Sequence, residues 1–145
     1  MEDNIKKLHE GISNVMMFGD NQKFNVCLVT LRAKGATGVT PGGDDLDGAA
    51  LSVNPAVTTI SGAGRDDAWI KSITDAIKAT NADGSVCPSN AAKIQKFTIL
   101  PHDFSSDTDE FTPTYKLKRS VVAQKYANAI KAMYASKDVY VPCVL

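Results

Sequence analysis

A chain of 145 residues, 43% hydrophobic and 22% charged, has the profile of a globular domain with one core and is too short for two ordinary ones. Its 16 basic and 16 acidic side chains cancel, which argues against a general nucleic-acid binder, because displacing counterions from phosphates takes a basic excess. No apolar run approaches the ~20 residues of a membrane span, and Cys27, Cys87 and Cys143 lack metal-ligand spacing and read as reduced thiols of a cytoplasmic protein.

Residues 2–10 carry Ile5 and Leu8 on one side and acids in the first turn, predicting a short helix stopped by Gly11. Residues 13–18 form a compact apolar run, and Gly19-Asp20-Asn21 supplies turn chemistry. Residues 24–31 then read as a strand, and the pair as a hairpin. Phe24, Val26 and Leu28 alternate with Cys27, Val29 and Leu31. Both sets are apolar, so this strand is expected to be covered on both faces, with Cys27 as a small core residue.

Residues 34–64 are rich in Gly, Thr, Asp and Pro. As a calcium loop with Gly48 at the sixth position, they would place Gly43 where Asp is needed and Asn54 where Glu is needed. As a phosphate loop they lack the Gly-Lys-Ser/Thr ending. The expectation is a surface insertion with a short helical turn near residues 46–53. Residues 66–80 are an amphipathic helix: Trp69, Ile73, Ala76 and Ile77 share one face, and Asp66 and Asp67 suit the positive end.

Asp83-Gly84 and Pro88 end that helix, and Ser89 or Asn90 is placed to cap a short turn through Ile94. Residues 96–100 read as a third strand closed by Pro101-His102-Asp103. His102 is read as a surface or capping histidine, since no nucleophile motif accompanies it, and His9 is a still weaker acid–base candidate. Asp107, Asp109 and Glu110 are read as solvated loop charges. Residues 118–136 form a closing helix whose stripe of Val122, Tyr126, Ala129, Ile130 and Met133 faces the core. Residues 138–145 read as a tail; Cys143-Val144-Leu145 lacks the positive charge of a peroxisomal address, and Cys143 stands one place too late for prenylation. The fold class is therefore α+β, a small sheet of an antiparallel hairpin plus a further strand, flanked by helices.

The most chemically pointed stretch is Phe111-Thr112-Pro113-Thr114-Tyr115-Lys116-Leu117-Lys118-Arg119. Pro113 fixes its own φ and pushes Thr112 toward an extended shape, so the turn is stiff. Lys116, Lys118 and Arg119 then follow within four residues. A cation on a stiff exposed loop suits an anion that it visits and leaves. Charge pattern alone permits a plainer reading, a solvated loop and helix start.

Residues 112–119, TPTYKLKR, preceded by KIQKFTILPHDFS, resemble the C-terminal end of the long-chain fatty acyl-CoA synthetases, in particular their bubblegum-type branch. Residues 12–31, ISNVMMFGDNQKFNVCLVTL, extend the resemblance through Ile12-Ser13-Asn14, Gly19-Asp20 and Lys23-Phe24, pairs and triplets that recur in that family's first strand pair. The likeness covers residues 1–137.

The resemblance implies an adenylate-forming enzyme whose small C-terminal domain sits as a lid on a much larger N-terminal adenylation domain. It implies that Lys116 is the catalytic lysine for joining a fatty acid to ATP before thioesterification with coenzyme A, Mg2+ accompanying the nucleotide. Lys118 and Arg119 would touch phosphate or coenzyme A, though solvation at a helix start explains them equally well. The phosphate loop, the Tyr/Thr-Glu motif, the ribose-binding Asp and the hinge motif of such enzymes are not in these residues. The 145-residue chain by itself is accordingly expected to be inactive, and the parent enzyme to be cytoplasmic or peripheral on membranes. An alternative keeps the lid fold but makes the chain a stand-alone protein-binding or regulatory module, acting in trans on a separate large domain.

Overall fold

The computed structural model describes residues 1–145. In chain order its elements are α1 (Glu2–Leu8), β1 (Ile12–Phe18), β2 (Asn25–Leu31), α2 (Ile60–Ala63), α3 (Asp67–Ala82), β3 (Ile94–Ile99), α4 (Arg119–Lys125) and α5 (Ala127–Ala135). The sheet order is β1-β2-β3. β1 and β2 are antiparallel, with Val15 opposite Val29 and Met17 opposite Cys27. β3 runs parallel to β2, Cys27 facing Phe97, so the connection between them must cross over, and α3 lies on it. The hairpin turn needs Gly19: a Cβ there would lie 1.6 Å from Asn25 Oδ1. Asn25 in turn donates to the Ala92 carbonyl at 3.0 Å, tying the hairpin to the approach of β3.

β2 is the central strand and is covered on both faces, as its double apolar alternation predicts. Cys27, Val29 and Leu31 pack with Ile5, Trp69, Ile73 and Ile77 of α1 and α3. Val26 and Leu28 pack with Val122, Tyr126, Ile130 and Met133 of α4 and α5. Burying a large apolar side chain contributes about 1.5–3 kcal/mol, so the strand shared by both cores organises the fold. Burial also pushes the Cys27 thiol pKa up, in keeping with a core role.

Several local expectations are corrected. α1 ends at Leu8 with His9 extended, and Gly11 does not stop it in a left-handed turn. Gly11 is there for space, since a Cβ would lie 2.9 Å from the Trp69 ring. The closing helix is divided at Tyr126 (φ −108°, ψ 26°). Backbone bonds of 3.0 Å from Tyr126 N to Val122 O and from Ile130 N to Tyr126 O carry the ladder across the break, and the apolar stripe stays buried. The loop of residues 34–64 is more than a surface insertion: Leu46, Ala50, Ile60 and Ala63 join the core under β2. Its expected helical turn is a 3-10 turn at Gly48–Ser52, and α2, capped by Thr59 accepting from Gly62 N, was not foreseen.

Asp66 caps α3 by accepting from Trp69 N at 3.0 Å, a cap worth about 1 kcal/mol. The turn before β3 is a 3-10 turn at Asn90–Ala92, and Ile94 already belongs to the strand. Residues 138–141 lie along the outer edge of β3. Phe97 N donates to Val139 O at 2.9 Å, and Val141 N donates to Phe97 O at 3.0 Å. Lys96 Nζ reaches Asp138 O at 2.8 Å. The segment read as a tail thus covers an otherwise open strand edge.

Candidate functional site

The lysine turn is a closed loop projecting from two bridged residues, Phe111 and Leu117. Within it Thr112 N donates to Lys116 O at 2.9 Å, Tyr115 N to Thr112 O at 2.9 Å, and Lys116 N to Thr112 Oγ1 at 3.1 Å. Thr112 therefore clasps Lys116 through both backbone and side chain, while Pro113 removes a donor and a degree of freedom at the exposed corner. Tyr115 adopts φ 62°, a left-handed backbone that a bulky residue rarely takes. Residues 113–116 are exposed.

The three candidate cations are in different situations. The ion pairs of the chain are Lys71–Asp75, Lys118–Asp109, Arg119–Glu2 and Lys125–Glu110, and Lys116 is in none of them. Lys118 Nζ lies 2.5 Å from Asp109 Oδ1. Arg119 holds Glu2 with both arms of its guanidinium, at 2.8 and 2.6 Å. That two-pronged bond raises the Arg119 pKa. Burial pushes the Glu2 carboxyl up, but Arg119 and the Met17 amide outweigh it and hold the carboxyl below its usual range. Lys116 is thus the cation left available at the turn, whereas Lys118 and Arg119 already have carboxylate partners.

The base of the turn is fixed by Glu110, and here the solvated-loop reading is corrected. Glu110 is 0% exposed. It accepts from Ser105 N at 3.1 Å, Lys125 Nζ at 2.9 Å, Tyr126 OH at 3.0 Å and the Thr108 hydroxyl. A buried carboxylate persists only with such a full set of donors. Its carbonyl also accepts from Lys118 N at 2.8 Å, closing the turn from below. Burial, with the Glu110 charge beside it, pushes the Tyr126 phenol pKa up. The sequence held one available signal: a Tyr inside a core stripe needs a partner for its hydroxyl. Asp109 remains exposed, as expected.

His102 is no free surface group. Its Nδ1 lies 2.8 Å from Asp103 O and its Nε2 lies 3.2 Å from the Tyr126 hydroxyl. His9 is buried, stacked on Trp69 with ring centroids 5.4 Å apart, and within 2.8 Å of Ser72 Oγ.

Two stretches that carry the family likeness meet in space. Asp103, 6% exposed, accepts from Ser13 Oγ at 2.6 Å, Asn14 Nδ2 at 2.8 Å, Thr30 Oγ1 at 2.8 Å and Phe104 N at 2.8 Å. The Ser-Asn of β1 thus exists to satisfy a buried carboxylate at the end of β3, in a structural cluster with no donor to spare.

Fold and turn together define a small α+β domain that presents one unpaired cation on a braced loop. Comparison with known proteins supplies its family. The chain is 38% identical over 144 residues to the long-chain-fatty-acid–CoA ligase ACSBG2 of Gallus gallus, covering 95% of this chain and 18% of that enzyme. It is 37% identical over 134 residues to the ligase FadD15 of Mycobacterium tuberculosis, covering 92% of this chain and 20% of that one. The figures for ACSBG1 of Homo sapiens are 33% over 140 residues, 92% and 19%. No family model matches the chain, and no solved structure does. The chain belongs to the long-chain-fatty-acid–CoA ligase family and spans about one fifth of the length of the curated relatives it matches.

Proposed function

We propose that this chain is the C-terminal lid domain of a long-chain fatty acid–CoA ligase, and that Lys116 is its mobile catalytic cation. The observation that carries the reading is the contrast at the turn: Lys116 is exposed and outside every ion pair, while its basic neighbours are held by Asp109 and Glu2. An unpaired ammonium on a stiff loop fits an oxyanion supplied by another domain.

In the proposed reaction a fatty carboxylate oxygen attacks the α-phosphorus of ATP, a new acyl–O–P bond forms, and the bond to pyrophosphate breaks. The thiol sulfur of coenzyme A then attacks the acyl carbon, AMP leaves, and the thiol proton is released. Carboxylate and triphosphate repel each other, and negative charge gathers on the oxygens of the attacked phosphorus. Lys116, carried there by lid closure, offsets both effects at the point where they are greatest. Withdrawal of the lid then clears the space for the thiol. No group of three or more His, Cys, Asp or Glu side chains forms a metal-binding cluster, so Mg2+ would arrive with the nucleotide on the large domain. Lys118 and Arg119 could reach phosphate or coenzyme A only by giving up Asp109 and Glu2, which makes them secondary candidates.

The test is acyl-CoA formation from oleate, ATP and coenzyme A, with this chain alone and with the large domain of a relative added. Activity confined to the mixture and lost in Lys116→Ala is the expected result. Activity of the chain alone, or undiminished activity of Lys116→Ala in the mixture, would overturn the reading.

A further inference from the structure

The Gly/Thr-rich hairpin of residues 35–41 has a visible destination. Its tip is closed by the Ala36–Pro41 bridge and by Thr37 N donating to Thr40 O at 3.1 Å. From there it docks on the segment that leads into the lysine turn: Ser106 N donates to Gly38 O and Asp107 N to Val39 O, both at 2.9 Å. Above this contact the Tyr115 ring rests against Gly38 so closely that a Cβ on residue 38 would lie 2.8 Å from ring carbon Cε1. Gly38 also has φ +85°, a conformation in which any side chain is strained. Phe111 lies edge-on to the ring, with centroids 6.4 Å apart.

Tyr115 is the residue immediately before Lys116, and its own left-handed backbone is what turns the chain back toward Leu117. A Gly or Asn would take that conformation without penalty. The chain places an aromatic there, 56% exposed, and provides a seat for it. Local strain held by surrounding structure is the form that positioning takes at working sites.

We infer that Gly38 and Tyr115 are positioning residues for Lys116, the hairpin of residues 35–41 serving as a buttress that fixes the direction in which the lysine leaves the turn. The inference rests on the proposed adenylation role of Lys116. Neither residue need touch substrate. With the ring seated on Gly38, Tyr115 is held in its left-handed state and Lys116 is held at one exit angle; with the seat filled, the ring must move and the lysine moves with it. A misplacement of about 1 Å at such a group can cost 10²-fold in rate.

The experiment has two readouts. In the mixture with a relative's large domain, acyl-adenylate formation and thioester formation from preformed acyl-adenylate are measured separately for Gly38→Ala, Gly38→Ala/Tyr115→Gly, Tyr115→Phe and Lys116→Ala. In this chain alone, amide hydrogen exchange is followed at residues 112–118 and across β1–β3. Expected are a loss of about tenfold or more in adenylate formation for Gly38→Ala, unchanged thioester formation, and wild-type behaviour for Tyr115→Phe, which keeps the ring. Exchange at residues 112–118 rises in Gly38→Ala while the strands stay protected, and stays raised in the double variant, which relieves the clash but loses the ring that held the turn and keeps residue 38 in its strained backbone. Full adenylate formation by Gly38→Ala beside an inactive Lys116→Ala would overturn the inference and leave the lysine's role standing. Full activity of Lys116→Ala would instead remove the reading on which it rests. If the wild-type mixture makes no adenylate, unchanged exchange at residues 112–118 in Gly38→Ala overturns the inference, and raised exchange there supports it.

Discussion

The Tyr126 hydroxyl donates to Glu110 Oε2 at 3.0 Å, joining the break between α4 and α5 to the root of the lysine turn. Through this bond the second core, the buried carboxylate and the exposed loop form one continuous support. The turn that carries Lys116 is therefore braced from the core outward.

Removing either partner should be costly by unequal amounts. Tyr126→Phe takes one donor from Glu110 and leaves Lys125 in place, so about 1–2 kcal/mol of stability should be lost. Glu110→Ala leaves the Ser105 amide without its acceptor, the Tyr126 hydroxyl with only His102 Nε2 at 3.2 Å and Lys125 without its counter-charge, and should cost about 3 kcal/mol. Urea denaturation of the two variants checks the order; equal losses would mean that Lys125 and the loop amide contribute nothing.

The Asp103 cluster should behave similarly. Asp103→Ala strands donors from Ser13, Asn14, Thr30 and Phe104, for an expected loss of about 3 kcal/mol. Asp103→Asn keeps the oxygen that serves three of them, and its amide can donate to Ser13 once that hydroxyl turns. It should cost clearly less, and thermal unfolding of both proteins makes the comparison.

Much of this architecture was legible in the chain, and the omissions share a cause. Double apolar alternation in Phe24–Leu31 announced a strand covered on both faces because periodicity of two is a local property. The Trp69 face of α3 and the Val122–Met133 stripe were visible for the same reason. Glu110 looked like a loop charge, and Asp103 like part of the turn that closes the third strand, because their burial depends on donors up to 90 positions away, which no local pattern encodes. The 138–141 edge pairing and the role of Gly38 were hidden likewise: each answers to a partner brought close only by the finished fold. At the site, Lys116 stood out by its turn, but that Lys118 and Arg119 have carboxylate partners could be seen only with the chain folded.

Stability should also depend on pH through His9. Gly11 N donates to its Nδ1 at 3.2 Å, so the proton of the neutral ring sits on Nε2, toward Ser72 Oγ at 2.8 Å. Burial lowers the pKa from its ordinary value of 6.5. A group with a depressed folded pKa contributes stability that is present above its unfolded pKa and lost as the pH falls toward the folded one. The melting temperature should therefore drop on going from about pH 7.5 to below 6, and His9→Gln should flatten that part of the profile. An unchanged slope in the variant would assign the loss to other groups.

Lys116 and its basic neighbours should separate cleanly when stability and activity are measured side by side. Lys116→Ala removes an exposed side chain outside every ion pair, so its unfolding free energy should stay within about 0.5 kcal/mol of wild type. Its acyl-adenylate formation with a large domain should nevertheless fall by about 10²–10³-fold, the usual penalty for losing one donor aimed at developing charge. Arg119→Gln should do the reverse. It breaks the grip on Glu2, a partly exposed pair worth roughly 0.2–1 kcal/mol and weakened by salt, while adenylate formation changes little. Rates and denaturation midpoints measured at low and high salt decide the matter. A large adenylation defect in Arg119→Gln with wild-type stability would mean that Arg119 leaves Glu2 to meet the nucleotide, and that the closed lid has a different set of ion pairs from the one described here.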